Sequence, residues 1–304
     1  MNPNLNIKIG KVKLNNPVMV ASGTFGYGQE FAPFISLRKL GAIVSKTVTL
    51  NPRQGNPAPR TCETPAGMLN SIGLENPGIE MFIKEKLPVL RKIGIPVIVS
   101  IASEKDPTEF IRLVKRLGNL SAVSAIELNI SCPNMRHTRL ISQDASATYE
   151  VVKAVRRQTT KALIVKLSPN VTSISDIALR AEEAGADAVS LVNTINGMSI
   201  DINTRKPKIA MVTAGLSGPA IRPIAVKMVW EVYNKVKIPI IGMGGIIDTD
   251  SALEFIIAGA SAVSIGTANF INPRISVEVV EGIQKYMKVN KIVDIRGLTG
   301  SLQK

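Results

Sequence analysis

Residues 127–134 read Glu-Leu-Asn-Ile-Ser-Cys-Pro-Asn, an apolar, strand-like run that delivers a thiol between two carboxamides and then stops at proline. Asn129 and Asn134 can hydrogen-bond a polar, planar ring, and Cys132 can carry a proton or form a covalent bond. A lone cysteine more often packs than reacts. Its neighbours here favour reaction.

The rest of the composition narrows the chemistry. Among 304 residues there are two cysteines, Cys62 and Cys132, and one histidine, His137. Two thiols cannot supply the four thiolates of an iron–sulfur cluster. A zinc site or a serine–histidine–aspartate triad would need His137 plus partners that no motif provides, so no metal is expected. The formal charge of +14 steers anions, but Lys and Arg are scattered, aromatics make up 4% and no nucleic-acid motif accompanies them. Neither nucleic acid nor membrane is expected as a partner. The first ten residues lack the charged and apolar regions of a signal peptide, and no apolar run reaches the roughly 18 residues that span a bilayer. A soluble cytoplasmic chain is the expectation.

The elements that position Cys132 follow from periodicity. Near-continuous apolar runs at 17–22, 42–48, 96–102, 125–131, 162–168, 188–194, 239–244 and 262–267 read as strands covered on both faces. Between most of them lie stretches with one apolar stripe, at 106–117, 147–157, 174–184, 221–236, 249–258 and 275–287, which read as helices. This alternation predicts α/β architecture with a parallel sheet, and eight strands favour a single closed (β/α)8 TIM barrel over residues 1–304. Period-two alternation over residues 7–14 predicts a short N-terminal β-hairpin. The Pro-, Gly- and Asn-rich stretch 51–78 is too long for an ordinary connection and is expected to be an extended loop forming a lid or site wall.

On that plan Ser22, Lys46, Asn129, Lys166 and Asn193 fall at or near the C-terminal ends of strands, the rim that carries active sites in such barrels. Gly242-Met243-Gly244-Gly245-Ile246 follows strand seven and Gly266-Thr267-Ala268 follows strand eight, the usual phosphate position of the fold. No Gly-x-Gly-x-x-Gly fingerprint is present, and 23–28 has its glycines in the wrong order, so a mononucleotide such as FMN fits better than a dinucleotide.

Taken in order, the segments 45–47, 51–57, 70–78, 129–134, 165–170, 193–194, 215–220 and 242–246 resemble class 1 dihydroorotate dehydrogenases over nearly the whole chain. The stretches 64–70 and 196–201 resemble the NAD-linked 1B catalytic subunit more than the fumarate-linked 1A enzyme. The resemblance implies oxidation of dihydroorotate to orotate in pyrimidine biosynthesis on one FMN per chain. It implies flavin contacts at Ser22, Lys46, Thr47, Asn129, Lys166, Val192, Gly218, Gly244, Gly245, Gly266 and Thr267. Substrate would be surrounded by Lys46, Asn70, Ser71, Ile72, Gly73, Leu74, Asn129, Asn134, Asn193 and Thr194. Cys132 would be the general base that takes the C5 proton while hydride leaves C6. It further implies a homodimer joined by an electron-transfer subunit carrying FAD and a [2Fe–2S] cluster.

Two departures from the family pattern stand out. Residues 135–142 replace a glycine-rich loop with Met-Arg-His-Thr-Arg-Leu-Ile-Ser, and Thr213-Ala214 precedes Gly215 where a second glycine is common. Three rival readings remain: the fumarate-linked 1A enzyme, a flavin barrel acting on another dihydropyrimidine, and a non-catalytic barrel that retains FMN.

Overall fold

The computed structural model describes residues 2–104, 106–130 and 141–303. Eight strands, Val18–Val20, Ala42–Val44, Val97–Ile101, Ala125–Asn129, Ala162–Lys166, Ala188–Leu191, Ile240–Gly242 and Ala262–Ile265, pair parallel in chain order and close into a barrel. All eight coincide with the apolar runs of the sequence, each shorter by the residues at its ends. The trimming at the C-terminal end has a cause: Ser22, Lys46, Thr47 and Asn193 leave the ladder to become the rim.

Helices cover the barrel, and several begin where the sequence supplies a cap. Asp144 accepts from the Ala147 amide ahead of Ala145–Arg156, Ser173 caps Ile174–Glu183, and Asp248 with Ser251 forms a reciprocal capping box on Thr249–Ala258. Each such cap contributes about 1 kcal/mol. The hairpin Ile7–Ile9 with Val12–Leu14 forms as its alternation predicts, with Ile7, Ile9 and Leu14 buried in the main core. No helix among the described residues is long and apolar enough to cross a membrane.

Two features depart from the sequence expectation. A helical run absent from that reading covers residues 78–93, as Gly78–Met81, Phe82–Lys86 and Leu87–Ile93. Its middle piece is a π-turn just ahead of Pro88, where the missing N–H and the ring's bulk forbid a regular α-helical turn. The stretch 51–78 is also not simply a loop. It carries the strands Thr61–Thr64 and Gly67–Asn70, which join Ala214–Ser217 and Ile195–Gly197 in a four-stranded antiparallel sheet. Leu69, Ile209 and Ala214 make a small core of their own, with Cys62 and Leu216 against it.

Candidate active site

A chain of hydroxyl and amide groups links the first four barrel strands at their C-terminal ends. The Ser22 and Thr47 hydroxyls lie 2.8 Å apart, Thr47 and Ser100 lie 3.1 Å apart, and the Asn129 amide donates to Thr47 at 3.5 Å. Thr47, Ser100 and Asn129 are buried. Strands two and four are not neighbours, so the Asn129 to Thr47 bond crosses the barrel interior and fixes both side chains there. Buried polar groups satisfied in this way rigidify a site. Ser100 is a member that the sequence reading missed; its only signal was a hydroxyl inside an apolar strand.

Two lysines stand over this floor. Lys166 is the register partner of Asn129 on the neighbouring strand. It is 5% exposed and makes no hydrogen bond or ion pair among the described residues. Lys46, just past strand two, is likewise without a direct partner among them. Burial pushes the Lys46 ammonium below the usual lysine range; Glu75 opposes the shift and the Lys166 charge adds to it. Glu75 itself is bridged to Arg60. Two ammonium groups without a direct partner among the described residues, at the mouth of a barrel, are a site for an anion or an electron-rich ring.

Opposite them, three backbone segments converge. The Thr267 hydroxyl donates to Ser217 at 2.8 Å, and a Cβ placed on Gly245 would lie 2.9 Å from the Gly218 carbonyl oxygen. A Cβ on Gly244 would approach Val192 to 3.2 Å, which brings Val192 to the same place. The N–H groups of Gly244, Gly245 and Thr267 donate to no acceptor among the described residues. Free main-chain donors from turns after strands seven and eight are groups of the kind that can hold an anion. Gly266 closes the eighth strand beside Ala21, 3.6 Å from where its Cβ would be. Ser217 is a second residue that sequence reading missed, although it sits one position before Gly218.

The four-stranded sheet is the remaining wall. Asn70 pairs with Gly215 in register and donates to its carbonyl at 3.4 Å. Gly215 packs so closely on Thr194 that a Cβ would lie 2.0 Å from the Thr194 hydroxyl. Asn193 accepts from the Thr194 amide at 2.8 Å, and Asn170 donates to the Thr194 carbonyl at 3.0 Å. Asn70, Asn193 and Thr194 therefore come together from excursions after strands two and six. Ala214, the departure noted before Gly215, fills the small core of this sheet.

The segment 71–74 is held by groups the sequence reading did not assign. Asn56 donates to Ser71, Arg53 to the Gly73 carbonyl, and Asn76 to the Leu74 carbonyl, while the Asn56 amide donates to the Ile72 carbonyl. The Ser71 hydroxyl, 2.9 Å from Asn56, is engaged within the loop's own scaffold. Cys132, Asn134 and His137, with the unusual stretch 135–140, lie outside the described residues; the chain is described again from the short turn Ile141–Gln143.

A closed parallel barrel with free main-chain donors, two ammonium groups and several amides at its C-terminal rim is a (β/α)8 barrel with a polar site at that end. The family described as dihydroorotate dehydrogenase matches residues 4–287. A protein of Thermoanaerobacter pseudethanolicus is 53% identical over 301 residues, covering 99% of both chains. One from Geotalea uraniireducens is 50% identical over 301 residues, covering 99% of this chain and 98% of its own. A third, from Trichlorobacter lovleyi, is 50% identical over the full length of both. All three bear the name dihydroorotate dehydrogenase B (NAD(+)), catalytic subunit. The chain belongs to the dihydroorotate dehydrogenase family.

Proposed function

We propose that this chain, as one FMN-binding domain, oxidises dihydroorotate to orotate and is the catalytic subunit of an NAD-linked enzyme of pyrimidine biosynthesis. The observation that carries the reading is the convergence of free N–H donors at Gly244, Gly245 and Thr267 with the bare ammonium groups of Lys46 and Lys166 across one barrel mouth. The donor set fits FMN: main-chain donors suit its phosphate, and cations suit the charge that its ring acquires on reduction. Bound FMN supplies a two-electron acceptor for the hydride from C6. Ser22, Thr47 and Asn129 hold the ring side through their hydroxyl–amide chain, with Val192 beside the glycine turns.

The substrate's carbonyl and N–H edges call for groups that both donate and accept, which carboxamides do. Asn70, Asn129, Asn134 and Asn193 fill that role, with Thr194 and the 71–74 segment as the wall behind them. Cys132 takes the proton from C5. Lys46 attracts the carboxylate of the ligand as well as the ring. Electrons leave through another protein, because two cysteines and no dinucleotide fingerprint provide neither cluster nor nicotinamide site. That partner carries FAD and a [2Fe–2S] cluster and binds a homodimer of this chain in the cytoplasm.

Purified alone, the chain is expected to be yellow with one FMN, to lose that colour anaerobically on addition of dihydroorotate, and to reduce NAD only in trace. Absence of FMN would refute the flavin reading. Efficient NAD reduction by the isolated chain would refute the division of labour, and turnover with fumarate would favour the 1A alternative.

The Lys46 shift gives a pH prediction. A lysine held below its usual range loses its cation early as pH rises, so orotate affinity should fall through that lowered value, by at most tenfold per pH unit for one proton. Titration of orotate across alkaline pH checks this, and Lys46→Met should remove the dependence. A dependence unchanged in Lys46→Met would place the titration on another group.

A further inference from the structure

We propose that Glu127 is the buried counter-charge of Lys166 and that, through this pairing, it sets how readily the bound flavin takes up electrons. The second half rests on the FMN reading above; the first stands on the barrel alone.

Among the described residues, Glu127 and Lys166 are the only buried ionisable side chains on barrel strands, at 2% and 5% exposure. They occupy neighbouring strands and are diagonal to each other. Glu127 pairs in register with Ile164, and Lys166 with Asn129, two residues further along each strand. The Ser190 hydroxyl donates to Glu127 Oε2 at 3.0 Å. Ser190 lies on the strand beyond and is itself the register partner of Lys166. That bond therefore spans the strand bearing Lys166, which is possible only through the barrel interior. The other carboxylate oxygen, Oε1, is buried with no hydrogen-bond partner among the described residues.

A neutral glutamic acid would leave Lys166 as an uncompensated cation in the interior. An ionised Glu127 accepts the Ser190 bond and balances it. The two groups are not in direct contact, and the low dielectric between them carries the attraction. None of the catalytic steps proposed above uses Glu127. Its place is electrostatic: a fixed negative charge behind Lys166 tempers the positive field at the barrel mouth. Adding electrons to a flavin adds negative charge, so removing Glu127's charge should make reduction easier.

The test compares the chain, saturated with FMN, as parent, Glu127→Gln, Lys166→Met and the double variant, by thermal unfolding and by the flavin's midpoint potential. The pairing predicts that Glu127→Gln lowers the unfolding temperature in the parent but raises it in Lys166→Met, where the glutamate is otherwise a lone buried anion. The potential should rise in Glu127→Gln, fall in Lys166→Met and lie between them in the double variant. Additive unfolding shifts, or a Glu127→Gln chain that fails to fold in both backgrounds, would overturn the pairing and leave a purely structural hydrogen bond to Ser190. A potential in Glu127→Gln that stays put or falls would overturn the electrostatic role. A parent that binds no FMN would defeat the flavin half together with the functional reading, whereas the unfolding cycle still decides the pairing.

Discussion

Reduction of the flavin by dihydroorotate is expected to slow by about 10² to 10⁴ in Cys132→Ala, the range that one positioned general base contributes. FMN and orotate binding should survive, because the proposed phosphate donors at Gly244, Gly245 and Thr267 and the proposed carboxamides at Asn70 and Asn193 belong to other elements. Serine at the same position should also be slow near neutral pH. A hydroxyl is far less acidic than a thiol, and the chain's one histidine comes with no motif that would activate it. Anaerobic stopped-flow reduction across pH checks both variants. A parental rate in Cys132→Ala would return the thiol to a packing role and require a different base.

Gly245→Ala should strip the chain of its cofactor. Gly245 has φ +84°, where a side chain costs about 1–2 kcal/mol, and its added methyl would sit 2.7 Å from Arg222 Cβ and 2.9 Å from the Gly218 carbonyl oxygen. The turn must move, and the N–H groups of Gly244 and Gly245 move with it. Each hydrogen bond to a charged group is worth roughly 1.5–3 kcal/mol, so each one lost weakens FMN binding by about tenfold to a hundredfold. Gly94→Ala is the matched control, with φ +82° but nothing within 4 Å of the added methyl. It carries the backbone strain without the collision and should retain FMN. Equal retention in both variants, measured by flavin absorbance after gel filtration, would remove the Gly245 turn from the cofactor site.

The barrel was legible because each of its strands is buried on both faces and so spells a continuous apolar run, as in 97–101 and 162–166. While their caps at Asp144, Ser173 and Asp248 went unread, the helices Ala145–Arg156, Ile174–Glu183 and Thr249–Ala258 were legible from their apolar stripes. The helical run 78–93 was not, since Pro77, Gly78 and Pro88 punctuate it and its continuity depends on a π-turn that has no periodic signature. The stretch 51–78 was expected as a lid or site wall, but its strands were hidden for a different reason. Thr61–Thr64 alternates between exposed and half-buried, and Gly67–Asn70 finds its partner at Ala214–Ser217, far along the chain. Lys46, Lys166 and Asn129 announced themselves as polar residues ending apolar strands. Ser100 and Ser217 did not, because one hydroxyl in a strand is ordinary until its neighbour across the barrel is known. Glu127 stood in the opening motif of the sequence, yet its burial opposite Lys166 depends on barrel closure.

That wall also bears on how the molecule is born. The Asn70 to Gly215 hydrogen bond joins residues 145 positions apart, on excursions from the second and sixth barrel strands. In an open chain, closing a loop of that size is slow and entropically costly, and four short, half-exposed strands return little for it. Once the parallel ladders have brought strands two and six into one closed cylinder, the same contact spans only the barrel's mouth. The cost of closing these contacts thus favours an order of assembly with the scaffold first and the pocket last.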